Sequence, residues 1–585
     1  MKFDTKMINK LFFSLLPVQI MLVAVGSING LIDGAIASNY IGASAMGMIG
    51  LYAPLQKVIE CVTGVLLGGS QILCGRFLGK NQLERTRGIF SLDMVLLTVI
   101  ALLFTLGGIV IPGPLAVVLG ADETMREGLT AYIFGLSFGM LPQFMSAHLT
   151  AFLQIEQQQK RTYAAVAVMA VVNVSLDILF VQELGLGMLG LGLATTLSYW
   201  ASFVVMFLYY LRGRATITFD RKYIDLKDTG SLVKIGAPGA VTVFCLAVRG
   251  LLLNYILMMF TGRDGVSALS ALNTCGGLLF ALTAGEGAAT RLLSSIYIGE
   301  EDRRSLSALM KIAMTKGVGM VACFAAVVIA LAEPISYIFF KDTASNVYLL
   351  TVMFFRIYPF CMPLSAIAVI MGYYHQSFGR MKVSNVLSVM DGMVGVLVSS
   401  AILAPMFGAV GVWVAHVLNG VYTTIVLFIY AWMVKGRMPR SIEDMLAIPD
   451  DFGVNEDHRL EITIRSESDV TETSARVMDF CHGLGIDPRR SYYAGLCLEE
   501  MADNVVKHGF SDGRKHTVDV RVVSKEDSLL LRMKDDCKAF DPKEKLELID
   551  PEDITHNIGI RTVGRISKEM SYHNVLGLNV LTIEL

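Results

Sequence analysis

Residues 11–36 read LFFSLLPVQIMLVAVGSINGLIDGAI, an apolar run whose single charge is Asp33. A helix of about twenty apolar residues, rising 1.5 Å per residue, matches the hydrocarbon thickness of a bilayer, so this stretch is long enough to span one. Lys2, Lys6 and Lys10 precede it and give it the look of a secretory leader. The run continues past Pro17 to Ile36, too long for a leader's apolar segment, and it lacks a clear small-residue cleavage site. It reads as the first of many membrane spans.

Working outward, the same character holds to about Val434. The chain has 585 residues, of which 54% are hydrophobic and 17% charged, whereas a soluble protein carries about a quarter charged residues. Twelve spans are expected, roughly at 11–36, 46–76, 89–111, 128–153, 163–184, 189–211, 232–259, 267–298, 309–332, 350–374, 384–404 and 409–434. They must be helices, because lipid cannot satisfy open backbone groups. After Val434 charges become dense and no later stretch can span. The net charge of −2 averages a basic-looped membrane part with an acidic tail and carries no nucleic-acid signature. The nine cysteines show neither a disulfide framework nor paired metal spacing.

The membrane part is two copies of one pattern. Pro17 in SLLPVQI and Pro238 in KIGAPGAV are 221 residues apart, as are Pro142 and Pro363. Gly79 and Gly299 are 220 apart, and Gly187, Gly190 and Ala194 return as Gly408, Gly411 and Ala415 at 221. Six spans per copy make the copies parallel, related by an axis along the membrane normal. Lys and Arg accumulate in cytoplasmic loops. Here the N-terminal arm, every second loop (including Arg214 in the sixth) and the segment after the last span hold 23 basic residues, while the alternate loops hold only Arg126, Arg263 and Lys341. Both termini are therefore expected in the cytoplasm, in a multi-pass plasma-membrane (bacterial inner-membrane) protein.

Four stretches, taken in order and with their duplication, resemble the MATE family of multidrug and toxic-compound extrusion transporters. They are the early Pro17, the loop GRFLGKNQLERTRG (75–88), the segment LGADETMREGLTAYIFGLSFGMLP (119–142) and VVNVSLDILFVQELGLGMLGLGLATTLS (171–198). The resemblance covers about residues 8–435. It implies secondary active antiport, in which H+ or Na+ enters as a small organic substrate leaves. The chain has no Walker A sequence, since GRFLGKN has the wrong glycine spacing, which argues against ATP-driven transport of the ABC type.

Ionisable groups inside a membrane are functional candidates by default, since each costs about 2.5–3.5 kcal/mol at the bilayer centre on insertion scales. Asp33 falls where the family carries a coupling aspartate; the alternative is a solvated aspartate near the outer end of its span. Asn173 and Asp177 lie four residues apart on one helix face and match a family pair, with a plain packing hydrogen bond as the alternative. Asp391 is a further candidate. The acidic residue that some members carry in the seventh span is absent: Leu246 stands there, with Arg249 close by. Arg249 and Arg356 are candidates for a substrate cavity that takes an anionic or zwitterionic group. Lys57 with Glu60, and Glu286 with Arg291, read as internal ion pairs or ends that reach the interface.

Residues 436–457 form a polar, proline-containing linker, and from His458 the pattern turns α/β. RLEITIR reads as a strand, DVTETSARVMDFCHGLG as a helix capped by Asp469 or Thr471, and SYYAGLCLEEMADNVVKHGF as a longer helix. HTVDVRVV and SLLLRMKDD read as paired strands, IGIRTVGRISKEMSYHN as a helix, and LNVLTIEL as the last strand. LEEMADNVVKHGF (498–510), DDCKAFDP (535–542) and NIGIRTVGRISKEMSY (557–572) resemble the motifs of the GHKL ATPase fold in its anti-sigma-factor serine-kinase form. The resemblance implies ATP with Mg2+ as cofactors. Glu500 falls at the family's general base, Asn504 at its Mg2+ ligand, Asp535 at the aspartate that recognises adenine, and Gly559 at a glycine of the third motif. Cys537 and Ala539 replace both glycines of the second motif, and Asn557 replaces one of the third. Glycine permits close backbone approach to phosphate, so these replacements bear on the lid.

The expected architecture is an all-α polytopic membrane protein of twelve transmembrane helices in two parallel six-helix repeats, followed by an α/β sandwich. The expected boundaries are 8–220, 221–435, a linker 436–457 and an ATPase-like domain 458–585. The expected function is antiport, with a nucleotide-binding regulatory domain. Two alternatives are a membrane-anchored signalling protein that phosphorylates or sequesters an anti-sigma-antagonist-like partner, and a flippase for a lipid precursor.

Overall fold

A computed structural model describes residues 5–213, 215–512, 514–525, 528–548 and 558–585. Lys2, Arg214 and Asn557 lie outside the described residues.

Among the described residues, ten helices are long and apolar enough to cross a membrane. One of them, Asp228–Gly299, runs for 72 residues and is interrupted at Gly262 (φ 70°, ψ −154°), a backbone conformation that only glycine adopts without strain. Helices Glu123–Ser137 and Met140–Ile155 are separated by Phe138 and Gly139, so neither alone is long enough to count among the ten. Asp122 caps the first of these by accepting from the N–H groups of Thr124 and Met125. Pro17 and Pro238 both lie inside helices, Lys6–Ile36 and Asp228–Gly299, where each removes one backbone hydrogen bond.

The helices before residue 212 pack mainly among themselves, as do those after residue 228. The two groups meet chiefly where Lys6–Ile36 and Ala43–Gly79 lie against Asp228–Gly299. Small residues make that seam. A side chain at Gly69 would overlap the carbonyl of Leu232, one at Gly236 that of Val65, and one at Gly299 that of Arg76. Without a hydrophobic driving force between helices in lipid, such close backbone approach is what holds them together. Polar ties across the seam include Arg291 Nε donating to Gln71 Oε1 at 2.6 Å and Arg76 Nε to the carbonyl of Ser377 at 3.0 Å.

The C-terminal domain is an α/β sandwich. Its strands are β1 (Arg459–Ile464), β2 (Val518–Ser524), β3 (Leu529–Asp535), β4 (Glu569–Val575) and β5 (Leu578–Glu584). All pairings are antiparallel, in the order β1-β2-β3-β5-β4, with Val520 opposite Met533 and Met533 opposite Leu581. Alternation along the strands sends Val518, Val520, Val522, Leu531, Met533, Leu581 and Ile583 to a core shared with helices Glu467–Gly483, Pro488–Gly509 and Ile558–Ile566. The same alternation puts Arg521, Arg532 and Lys534 on the opposite face. That face is covered by the end of the membrane bundle, and Val575, Leu576, Leu578 and Val580 belong to the membrane region's own apolar core.

Two sequence readings need correction. The helix at 558 ends at Ile566, and EMSYHNV forms β4. Leu576 and Gly577, both at positive φ, turn it into a hairpin with β5, a turn the β-prone run favours over a longer helix. The helix expected to be capped by Asp469 or Thr471 starts earlier, with Ser466 at its N-cap and Asp469 closing a capping box three residues on. The segment 436–457 also holds the short helix Ile442–Leu446 and is strapped to the bundle. Leu446, Ala447 and Ile448 are buried there, and Arg380 Nη2 donates to the carbonyl of Ala447 at 2.6 Å.

Candidate functional site

Among the polar clusters within the membrane region, two hold the candidate aspartates. In the first group of helices, Asp33 on Lys6–Ile36 sits beside Asn173 and Asp177 on Gln159–Asp177 and beside Thr195 on Gly187–Leu211. Tyr132 and Tyr199 adjoin it, and Tyr52 meets Tyr132 edge to face at 5.4 Å. Asn173 and Asp177 are fully buried. Both amide atoms of Asn173, both oxygens of Asp177 and one oxygen of Asp33 have no hydrogen-bond partner among the described residues. Such groups are costly to bury, and a native structure that keeps them does so for a ligand, ion or proton. A π-helical stretch, Ile178–Glu183, begins directly after Asp177; these local widenings recur at functional sites.

The second cluster lies in the later helices and is chemically different. Asp391 sits in another π-helical stretch, Met390–Val394. Asn419 Nδ2 donates to Asp391 Oδ1 at 3.0 Å, and Arg249 Nη1 approaches the Asp391 carbonyl at 3.4 Å. Tyr358 and His416, with rings 5.5 Å apart, adjoin Arg249. Arg356 does not join them: it pairs with Glu333 at 2.6 Å, and both side chains are largely exposed. Lys57 and Glu60 do pair, at 2.6 Å on an exposed face. Glu286 and Arg291 do not pair. Arg291 binds Gln71, and both carboxylate oxygens of the fully buried Glu286 have no hydrogen-bond partner among the described residues.

In the C-terminal domain, Glu500 and Asn504 lie one turn apart on helix Pro488–Gly509, both half-buried. Gly559 presses against the Glu500 carboxylate so closely that any side chain there would collide with it. Asp535, at the end of β3, forms a separate knot. Its Oδ1 accepts from Asn579 Nδ2 at 2.7 Å and from the Cys537 N–H at 3.0 Å. Burial pushes the Asp535 carboxyl above its usual range, against the pull of those donors. The next residue, Asp536, accepts from Lys10 Nζ at 2.6 Å and lies 2.8 Å from His516 Nδ1. Burial would raise Asp536, but these two partners hold it below the usual range. Ligand-type atoms of His516, Asp536 and Cys537 lie within 4.8 Å of one another.

Sequence reasoning missed Thr195 and the tyrosines around Asp33, Asn419 beside Asp391, and Asn579 beside Asp535. Only Asn579 left a signal: it stands in β5 at a position that alternates with Leu581 and Ile583, where an apolar residue belongs.

The MatE family profile matches residues 19–179 and 238–401, and the profile of a histidine kinase-like ATPase domain matches residues 465–585. The probable multidrug resistance protein YoeA of Bacillus subtilis is 20% identical over 301 residues, 50% of this chain and 64% of that protein. Protein DETOXIFICATION 24 of Arabidopsis thaliana is 24% identical over 356 residues, 57% of this chain and 66% of that protein. The chain thus spans just under two thirds of the length of either relative. Among solved structures, an outward-facing MATE family transporter of the MOP superfamily superposes with a TM-score of 0.68 at 18% identity, over 74% of this chain and 97% of that one, a likeness of fold. The chain therefore belongs to the MatE family and carries a histidine kinase-like ATPase domain at its C-terminal end.

Proposed function

We propose that the protein is a secondary active antiporter that exports a small organic substrate in exchange for an entering cation, H+ or Na+, with Asp33, Asp177 and Asn173 as the exchange site. The observation that carries this reading is the set of buried, unpartnered oxygens and amide atoms in the first cluster. A carboxylate pair in that setting binds a proton or a cation in turn with other ligands. The segments matched by the MatE profile, 19–179 and 238–401, support two six-span repeats, twelve spans in all, with the long helix counted as two at Gly262 and the split pair counted as one. The basic loops gather at the end where the α/β domain sits, as Arg76, Arg85, Arg87 and Arg304 illustrate, which supports a cytoplasmic domain and cytoplasmic termini. Arg249 in the second cluster favours substrates with an anionic or zwitterionic group.

The C-terminal domain binds nucleotide and regulates the transporter. Asp535, steadied by Asn579, would hold the adenine, Asn504 the Mg2+, and Glu500 would sit toward the phosphates against the cradle at Gly559. A bound nucleotide supplies a transferable phosphoryl group. The fit is good at the adenine end, where a buried carboxylate is already oriented, while Cys537 and Ala539 narrow the phosphate lid. Mg-ATP is expected to give a measurable heat of binding to the full chain, lost in Asn504→Ala; equal heats in both would remove Asn504 from the site.

The transport reading is tested by reconstitution into vesicles with an imposed pH or sodium gradient, using a fluorescent zwitterionic dye and a lipophilic cation as probes. Accumulation of either probe above protein-free vesicles, driven by one of the gradients, is expected. Accumulation by neither gradient would overturn the reading.

A further inference from the structure

The α/β domain is fixed to the membrane bundle, and the places where it is fixed fall on both groups of helices. On the earlier group, Lys10 Nζ reaches Asp536 at 2.6 Å, Asn81 bonds Ser571, and the N–H of Leu576 donates to the carbonyl of Ile155 at 2.9 Å. On the later group, Lys534 Nζ donates to Glu300 Oε2 at 2.6 Å, Arg521 donates to the carbonyls of Glu300 and Glu301 at 3.1 and 3.0 Å, and Arg304 Nη1 to Glu461 Oε2 at 3.0 Å. Glu300 is almost fully enclosed, its side chain 5% exposed, so its pair with Lys534 is a buried one. Two opposite charges enclosed together resist separation far more than a surface pair does.

At the same end of the bundle the two groups approach closely. Gly79 packs against Ile296 and Glu300, and Gly75 against Ser295, with no room for a Cβ. Farther from the domain along the same helices, no atom lies within 4 Å of a notional Cβ at Gly26, Gly30, Gly250 or Gly276, and the two groups still touch at Gly277 against Ser27. The one domain therefore straddles the closed end of the seam: β4 and its hairpin grip the earlier helices, while β2 and β3 grip the loop after the 72-residue helix.

We infer that the docked α/β domain is a clamp that holds the two groups of helices together at its own end, and that the transporter opens at that end only after the domain releases one of them. The inference rests on the alternating-access reading above, because only a transporter that rocks must part this seam. Asp536, one anchor of the clamp, is the neighbour of Asp535, so the clamp reaches to the candidate nucleotide pocket.

Hydrogen exchange on the full chain in lipid nanodiscs tests the clamp, with no substrate or gradient, so that failure of the clamp and failure of the transport reading show in different experiments. The segments read out are 65–72 and 286–291, which meet across the seam through Gly68, Gln71 and Arg291. Lys534→Glu is expected to speed their exchange by about tenfold or more, as for an opened buried pair. The swap Lys534→Glu with Glu300→Lys is expected to slow it again. Glu301→Lys, in an exposed pair with Lys525 at 2.9 Å, leaves the domain's core intact and is expected to give a smaller rise of the same sign. Slow exchange in β3 and helix Pro488–Gly509 shows that the domain is still folded. If it is folded and the seam segments exchange at the wild-type rate in both single variants, the clamp is overturned.

Discussion

Each of the two candidate polar clusters of the membrane region has an aspartate at or beside a π-helical turn, yet one buries atoms without partners and the other is hydrogen-bonded. Asp33, Asn173 and Asp177 bury atoms that bond to nothing among the described residues. Asp391 is met by Asn419 and Arg249. The two clusters share a backbone device, a π-helical turn at or next to an aspartate, and differ in the chemistry around it. An unpartnered carboxylate is a place for something to bind; a paired one holds structure together or presents a cation.

The largest effect expected from this contrast is in the paired cluster. Arg249→Ala removes the cation beside Asp391 and its bond to the Asp391 carbonyl, and is predicted to lower stability by about 2 kcal/mol, the range of a hydrogen bond from a charged group. Thermal unfolding in detergent measures it, and adding Asp391→Asn should recover part of the loss. The unpartnered cluster should respond with the opposite sign. Asp177→Asn removes a buried carboxylate that lacks donors and is predicted to leave stability unchanged or raise it by about 1 kcal/mol. A loss of stability as large as that of Arg249→Ala would erase the contrast.

A third effect lies where the domain docks, another setting in which charges are paired. His573 in β4 is buried, and burial first, then Arg532 and Lys534, pushes its pKa down to about 3. Once released from the interface it returns to the ordinary value of about 6.5. A folded value below the free one means that docking is strongest above the ordinary value and weakens as pH falls from there toward about 3. The limit is about 1.4 kcal/mol for each pH unit. Hydrogen exchange in β4 is expected to be faster at pH 5 than at pH 8 after correction for the intrinsic rate, and His573→Asn is expected to remove the difference.

The membrane region was legible because the length of an apolar run is a direct measure of bilayer thickness. Asp33 stood out for the same reason, as the lone charge in such a run. Contacts between distant segments were not legible. Nothing in the sequence joins Lys10 to Asp536, since only the fold brings those charges together. Glu286 and Arg291 looked like a pair, but five residues on a helix place two side chains on different faces, and Gln71 from the other group of helices satisfies the arginine. The strand at 569–575 was read as helix because the amphipathic pattern of the preceding turns runs straight into it. The hairpin that ends it depends on Leu576 adopting a positive φ that its side chain does not advertise.

The most direct measurement compares wild type with Asp33→Asn in vesicles that carry substrate on both sides, first without and then with an imposed pH or sodium gradient. The variant is predicted to keep substrate exchange across the membrane and to lose the accumulation that the gradient drives in wild type. Gradient-driven accumulation by Asp33→Asn at the wild-type level would contradict the assignment of the unpartnered carboxylates as the coupling site.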